Sequence, residues 1–227
     1  TVGLLADRGI DPASLDALFI SHEHSDHVRA LCLKVPLVER YRIPVYAPPP
    51  ARRALSGWAR GIRPSLRRDM PPLSRVTVGD VEVRSFPKSH DSAAPVGFVA
   101  SAGGERLGVA TDLGVVTPQV AEALAGVDYL VLESNHDPGL ELASGRPRWL
   151  VSRVMGPRGH LSNQQAAQAL AALAGPATRV VLLAHLSLEC NTPALASSAA
   201  EQALRRAAFA GTLAVAPPAG PSTVFGG

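Results

Sequence analysis

His22-Glu23-His24-Ser25-Asp26-His27 sets four metal-binding side chains within six residues, directly after the apolar run 17–21 (ALFIS). Side chains two apart in an extended segment point to the same side, so His22 and His24 share one target. Asp26 and His27 fall in the first turn of the helix that follows and can face a second point. The arrangement suits two metals side by side, with His22 and His24 on one and Asp26 and His27 on the other. Imidazole and carboxylate together favour Zn, with Mn or Fe also admissible, over Ca or Mg.

Working outward, three more donors obey one positional rule. His90 comes shortly after a strand ending at Phe86, Asp112 directly after 107–111, and His185 directly after 180–184. Each sits just past the C-terminal end of an apolar strand, where open α/β sheets gather their sites. Any one of them alone reads as a turn or cap residue. Together with the HxHxDH run they read as one constellation.

The rest of the chain alternates apolar strands with Ala-rich helices. A helix is expected over 26–41, kinked or shortened by Pro36, and a short strand over 44–47. Residues 76–86 alternate like a hairpin around Gly79-Asp80, and 96–101 and 106–111 flank a second turn at 102–105. Helices are expected over 118–125 (Thr117 cap, Pro118 at the first position), 163–174 (Ser162 cap, Gly175-Pro176 stop) and 193–209. Strands are expected over 129–132, 179–184 and 212–216. Pro48-Pro49-Pro50 reads as a stiff connection. The fold class is therefore α/β with more than one sheet. Residues 1–216 read as one domain and 217–227 as a Pro/Gly-rich tail.

Composition narrows the function. The 227 residues suffice for a sizeable core. No apolar run approaches the roughly 20 residues of a membrane span, so no membrane partner is expected. Cys32 and Cys190 are too few and too far apart for a disulfide framework or a Cys-based zinc site. No disulfide-linked partner and a cytoplasmic location are the corresponding expectations, while monomer and dimer are equally admissible. The net charge of +3 is unevenly spread. Residues 51–75 carry seven Arg against Asp69, or +6, and 146–158 carry Arg146, Arg148, Arg153 and Arg158 with no acid, or +4. The remainder is −7. Two basic segments on a mildly acidic body suit a polyanionic partner.

His22-Glu23-His24-Ser25-Asp26-His27, Ser89-His90-Asp91, Thr111-Asp112-Leu113-Gly114 and Ala184-His185, taken in that order, resemble the metallo-β-lactamase superfamily. The resemblance implies an αββα sandwich that lacks its N-terminal strands, since this chain starts at Thr1 close to the metal motif. It also implies that His22, His24 and His90 hold one metal, that Asp26, His27 and His185 hold the other, and that Asp112 bridges. Leu132-Glu133-Ser134-Asn135-His136-Asp137, Gly159-His160-Leu161-Ser162-Asn163 and Ala184-His185-Leu186-Ser187 with Asn191 are similar to the YycJ/WalJ group, described as hydrolases with exonuclease activity and related to tRNase Z-like phosphodiesterases. That likeness implies an acid pair of Glu133 and His160 beside the metals, and it leaves His136 without a role.

The function expected from these features is a dinuclear metal-dependent hydrolase, a nuclease or phosphodiesterase acting on nucleic acid or another phosphodiester. Its catalytic groups would be Asp26, Glu133 and His160. Two alternatives remain on the same residues: a hydrolase of a thioester, lactone or other small ester, which needs no acid pair, and a non-catalytic metal-binding module.

Overall fold

The computed structural model describes residues 2–31, 36–54 and 61–217. The tail expected over 217–227 lies almost wholly outside the described residues. The chain forms two compact units, one of residues 1–87 and 92–96, the other of residues 88–91 and 97–227.

The first unit opens with α1 (Val2–Ala6) and a three-stranded parallel sheet of β1 (Leu18–Phe19), β2 (Val45–Ala47) and β3 (Arg67–Asp69), in that order. The helix expected over 26–41 is broken. α2 (Ser25–Val28) runs into a 3-10 turn at Arg29–Leu31, and α3 (Leu37–Arg40) starts afresh after Pro36. Pro36 adopts ψ 144° at the cap of α3, a conformation no helix interior contains. The unit's core is Ile20, Val28, Leu31, Leu37, Val38, Ile43, Val45, Ile62 and Leu66. Each fully buried aliphatic side chain there contributes about 1.5–3 kcal/mol. Pro49 and Pro50 begin α4 (Pro49–Ala54) instead of stiffening a loop. The hairpin of β4 (Arg75–Val78) and β5 (Val81–Pro87) is antiparallel, and Gly79 takes φ +61° in its turn, where glycine carries no steric penalty.

In the second unit the strand order is β10-β9-β8-β7-β6. β6 (Val96–Ala102) and β7 (Glu105–Ala110) form the second expected hairpin, with Gly103 and Gly104 both at positive φ. From β7 onward every pairing is parallel: β8 (Tyr129–Glu133), β9 (Val180–Ala184) and β10 (Thr212–Val215). The crossovers are α5 (Pro118–Leu124), α8 (Asn163–Leu173) and α9 (Pro193–Arg206). α8 lies on α9 and buries Ala166, Ala169, Leu170 and Leu173, opposite the buried Ala196, Ala200, Ala203 and Leu204 of α9. Small residues on both helices allow this close approach. Ser162 caps α8 through a full capping box with Gln165, and Thr117 and Thr192 cap α5 and α9. Two short helices were not expected: α6 (Pro138–Ala143), capped by Asp137, and α7 (Arg148–Val154). Among the described residues no helix is long and apolar enough to cross a membrane.

Candidate metal centre and acid pair

In the first unit the metal motif leaves β1 as the sequence predicts. Ile20 still pairs with β2 through its amide and Tyr46 O (2.9 Å), and His22 follows, wholly buried. His22 Nδ1 meets Ser21 Oγ at 2.9 Å, while Nε2 lies 3.1 Å from His24 Nδ1. The His22 and His27 rings lie 4.2 Å apart, and His27 Nε2 is 3.3 Å from Asp26 Oδ2. Four donor side chains thus crowd the N-terminus of α2, held by backbone whose hydrophobic anchors are Ile20 and Val28. Glu23 faces elsewhere: Oε1 accepts the amide of Ala93 (2.8 Å) and fastens the 92–96 segment.

The second unit carries His90, Asp112, Glu133, His160 and His185. Asp112 lies two residues past the end of β7 and His185 directly follows β9, and both have left-handed backbones, φ +54° and +59°. Such geometry costs a non-glycine residue about 1–3 kcal/mol and concentrates where side-chain placement matters. Asp112 Oδ1 lies 3.4 Å from His185 Nε2 and 3.9 Å from His90 Nε2. One carboxylate oxygen thus sits between two imidazole nitrogens.

Glu133 organises this cluster. It is fully buried, and Oε1 accepts from Asp112 N (3.1 Å), His160 Nδ1 (2.9 Å) and His185 Nδ1 (2.7 Å). Oε2 accepts from Leu113 N (2.8 Å) and Leu161 N (2.9 Å). Burial pushes the carboxyl up, but hydrogen bonds and charge from His160 and His185 prevail and hold it at about 2. An acceptor at both Nδ1 atoms puts the protons there, leaving Nε2 of His185 a lone pair and Nε2 of His160 as its outward nitrogen. His90 is fixed in the same way, because Nδ1 donates to Gly159 O (3.1 Å). Burial lowers its pKa, against the raising effect of Asp112, which favours the neutral ring.

Three loops are locked together by buried amides. Asn163 and Asn191 pair reciprocally at 2.9 Å, Ser134 Oγ donates to Asn163 Oδ1, and Asn191 Nδ2 also donates to Ser134 O and Asn135 O. Asn135 Nδ2 donates to His185 O (2.8 Å). The Ser-Asn positions of the three motifs are thus the clamp that fixes Glu133, His160 and His185. Lys88 was not singled out from sequence. Its buried Nζ donates to Thr111 O (2.5 Å) and lies 3.8 Å from Asp112 Oδ2, supplying a cation beside that carboxylate.

His136 also has a place. It is buried, bridges to Ser162, and accepts the Asn163 amide on its carbonyl. Burial lowers its pKa despite Glu141 and Glu133 nearby, and Nδ1 has no hydrogen-bond partner among the described residues. A histidine whose pKa is lower folded than unfolded destabilises the fold as pH drops below its usual value of 6.5. Melting temperature should therefore decline from about pH 6.5 toward 5, and His136→Leu should flatten that decline. Equal slopes in thermal melts of the two proteins would remove His136 from the account.

The basic segments are partly consumed by local pairing. Arg52 pairs with Asp69, Arg63 with Glu39 and Arg75 with Glu82, while Arg67 donates to Ile62 O and Arg68 to Ser65 O. In the second segment Arg146 binds Glu141 and Glu189, and Arg153 binds Asp91. Cys190 is buried and free, and burial pushes its thiol pKa up.

His and Asp donors gather at strand ends, with His90 oriented by a carbonyl and His160 and His185 by a carboxylate, a donor set of the kind metal-dependent hydrolases use. Residues 5–186 match the family described as the beta-lactamase superfamily domain, and the chain belongs to the metallo-β-lactamase superfamily as a hydrolase with that fold. It is 33% identical over 222 residues to exodeoxyribonuclease YycJ of Bacillus anthracis, covering 91% of this chain and 82% of that protein. It is 33% identical over 196 residues to exodeoxyribonuclease WalJ of Streptococcus pneumoniae, covering 85% and 71%. Among solved structures, the metallo-β-lactamase fold protein YhfI of Bacillus subtilis superposes with a TM-score of 0.65 at 16% identity, over 95% of this chain and 81% of that one. The family fold implies divalent metal ions, and the His and Asp groups described above have the donor chemistry for them.

Proposed function

We propose that the protein is a dinuclear metal-dependent phosphodiesterase acting as an exonuclease on DNA. The observation that carries this reading is the pair Glu133 and His160, with Nδ1 and Oε1 2.9 Å apart and the carboxylate buried. Thioester, lactone and β-lactam hydrolysis needs no such pair, whereas a phosphodiester expels a poor alkoxide and needs a proton donor. The names of the two bacterial relatives support DNA as the substrate.

The side chains proposed as ligands are His22, His24, Asp26 and His27 in the first unit and His90, Asp112 and His185 in the second. Two divalent ions, zinc by ligand type, would supply Lewis acidity and lower the pKa of water for the attack. His160 donates the proton of Nε2 to the leaving oxygen. Glu133 keeps the Nδ1 proton in place and stabilises the imidazolium before transfer. Because Glu133 is wholly enclosed, it acts through His160 and His185 and not on substrate. Asp26, more exposed than the other donors, orients the attacking water or accepts its proton.

The test is metal-loaded protein assayed on bis-p-nitrophenyl phosphate, single- and double-stranded DNA, RNA and a thioester. Phosphodiester turnover is expected, reduced about 10²–10⁴-fold in His160→Ala with metal content unchanged. Turnover of the thioester alone would overturn the reading, as would full metal occupancy without turnover.

A further inference from the structure

Resting on the nuclease reading, we propose that the exposed face of α7 is a platform for single-stranded nucleic acid, on which Trp149 stacks a base and Arg148 and Arg158 take the flanking phosphates.

The helix reads Arg148-Trp149-Leu150-Val151-Ser152-Arg153-Val154. Arg148, Trp149, Ser152 and Arg153 are exposed, while Leu150, Val151 and Val154 are half-buried against the body. Spacing by four sets Arg148 above Ser152 and Trp149 above Arg153, one continuous outward face. Trp149 is 67% exposed. An indole left in water between arginines forgoes the burial that usually accompanies its size, and it offers a flat π surface to a ligand.

Charge points to the same class of ligand. The acids that reach this segment are already engaged: Glu141 and Glu189 by Arg146, and Asp91 by Arg153. Among the described residues the side chains of Arg148 and Arg158 form no ion pair or hydrogen bond. Arg158, Arg153 and Ser152 line a shallow cavity of about 210 Å³ with Gly156, Pro157 and Asp91. An aromatic face beside unneutralised guanidinium groups is the combination that binds single strands, because every base has a π face and every linkage a charge. A duplex keeps its bases stacked on each other and gains little from Trp149.

The platform is joined to the proposed proton donor by backbone. The last carbonyl of α7, Val154 O, accepts the amide of His160 at 2.8 Å, and Gly156 O accepts that of Gly159 at 2.9 Å. A strand seated on α7 is therefore held on the same rigid loop that positions His160.

The experiment measures binding of a fluorescent phosphorothioate oligo-dT of about ten nucleotides, which resists cleavage, to the protein as purified. Hydrolysis of bis-p-nitrophenyl phosphate, with no neighbouring bases or phosphates to reach α7, runs in parallel. Trp149→Ala should weaken oligonucleotide binding about 5- to 100-fold and leave bis-p-nitrophenyl phosphate hydrolysis unchanged, while Trp149→Phe should retain most of the affinity. Arg158→Ala should lower the slope of log affinity against log salt by about 0.7. Oligo-dT binding within twofold of wild type in Trp149→Ala would overturn the platform, and so would equal loss of duplex and single-strand binding. A wild-type protein that fails to hydrolyse any phosphodiester yet binds oligo-dT through Trp149 would refute the nuclease reading and leave the platform standing.

Discussion

Glu133→Ala is expected to lower stability by about 3–5 kcal/mol and to abolish hydrolysis, the largest combined effect of any single side-chain truncation in this protein. The carboxylate accepts three backbone amides and faces two imidazoles in a fully buried setting. Truncation strands the amides of Asp112, Leu113 and Leu161, each costing about 1–3 kcal/mol when unmade. For a chain of this length that corresponds to a fall in Tm of about 6–20 °C. Glu133→Gln separates chemistry from packing. One amide oxygen can serve the histidines or the backbone amides, but the NH2 group then opposes donors on the other side. The histidine tautomers become ambiguous, and His185 should lose metal affinity about 10- to 100-fold. Acid titration gives an independent check. A folded pKa near 2 lies below the unfolded 4.5, so Glu133 contributes stability above pH 4.5 and loses it as pH falls toward 2. Near-wild-type Tm and metal content in Glu133→Gln would show that the hub is not needed.

Several of these features could be read from the chain and others could not, for identifiable reasons. The HxHxDH run is contiguous, so strand and helix periodicity alone separates its two pairs of donors. His90, Asp112 and His185 are visible as polar residues that end apolar strands. Their left-handed conformations at Asp112 and His185 are not visible, because neither position carries the glycine that signals positive φ. Glu133 could be paired with His160 only by resemblance. Its bond to His185, 52 positions away, follows from the parallel register that sets Glu133 beside Ala184. Nothing local in the sequence marks Lys88 as buried, because its place beside Asp112 is set by tertiary packing. The helix expected over 26–41 ends already at Val28, and a new one starts after Pro36, which has no amide to donate inside a helix. α6 carries a local signal in Asp137 then Pro138, an N-cap followed by proline at the first helical position. α7 has no such cap, since Pro147 occupies that position without a side-chain bond.

Gly159→Ala is expected to be as damaging as Glu133→Ala although it adds a single methyl group. A Cβ at Gly159 would lie 2.1 Å from Val154 O and 2.2 Å from Arg153 O, both backbone atoms at the end of α7 that cannot rotate away. Relief requires α7 or the 156–160 loop to shift. That shift would break the His160 amide bond to Val154 O and would move Gly159 O, the acceptor that fixes His90. Gly114 guards the same loop from the other side, since its Cβ would fall 2.3 Å from Pro157 O. Activity should fall at least about 10²-fold, the effect of a displacement of roughly 1 Å in a catalytic group. Stability should fall by several kcal/mol, the range of overpacking against an immobile backbone. Gly175→Ala is the internal control. It makes the same chemical change just past α8 with nothing within 4 Å of the new Cβ, so it should alter stability by no more than about 0.5 kcal/mol. Matching melting temperatures for the two alanine variants would mean that the close approach at Gly159 does not hold His160, and that the proposed proton donor owes its position to Glu133 alone.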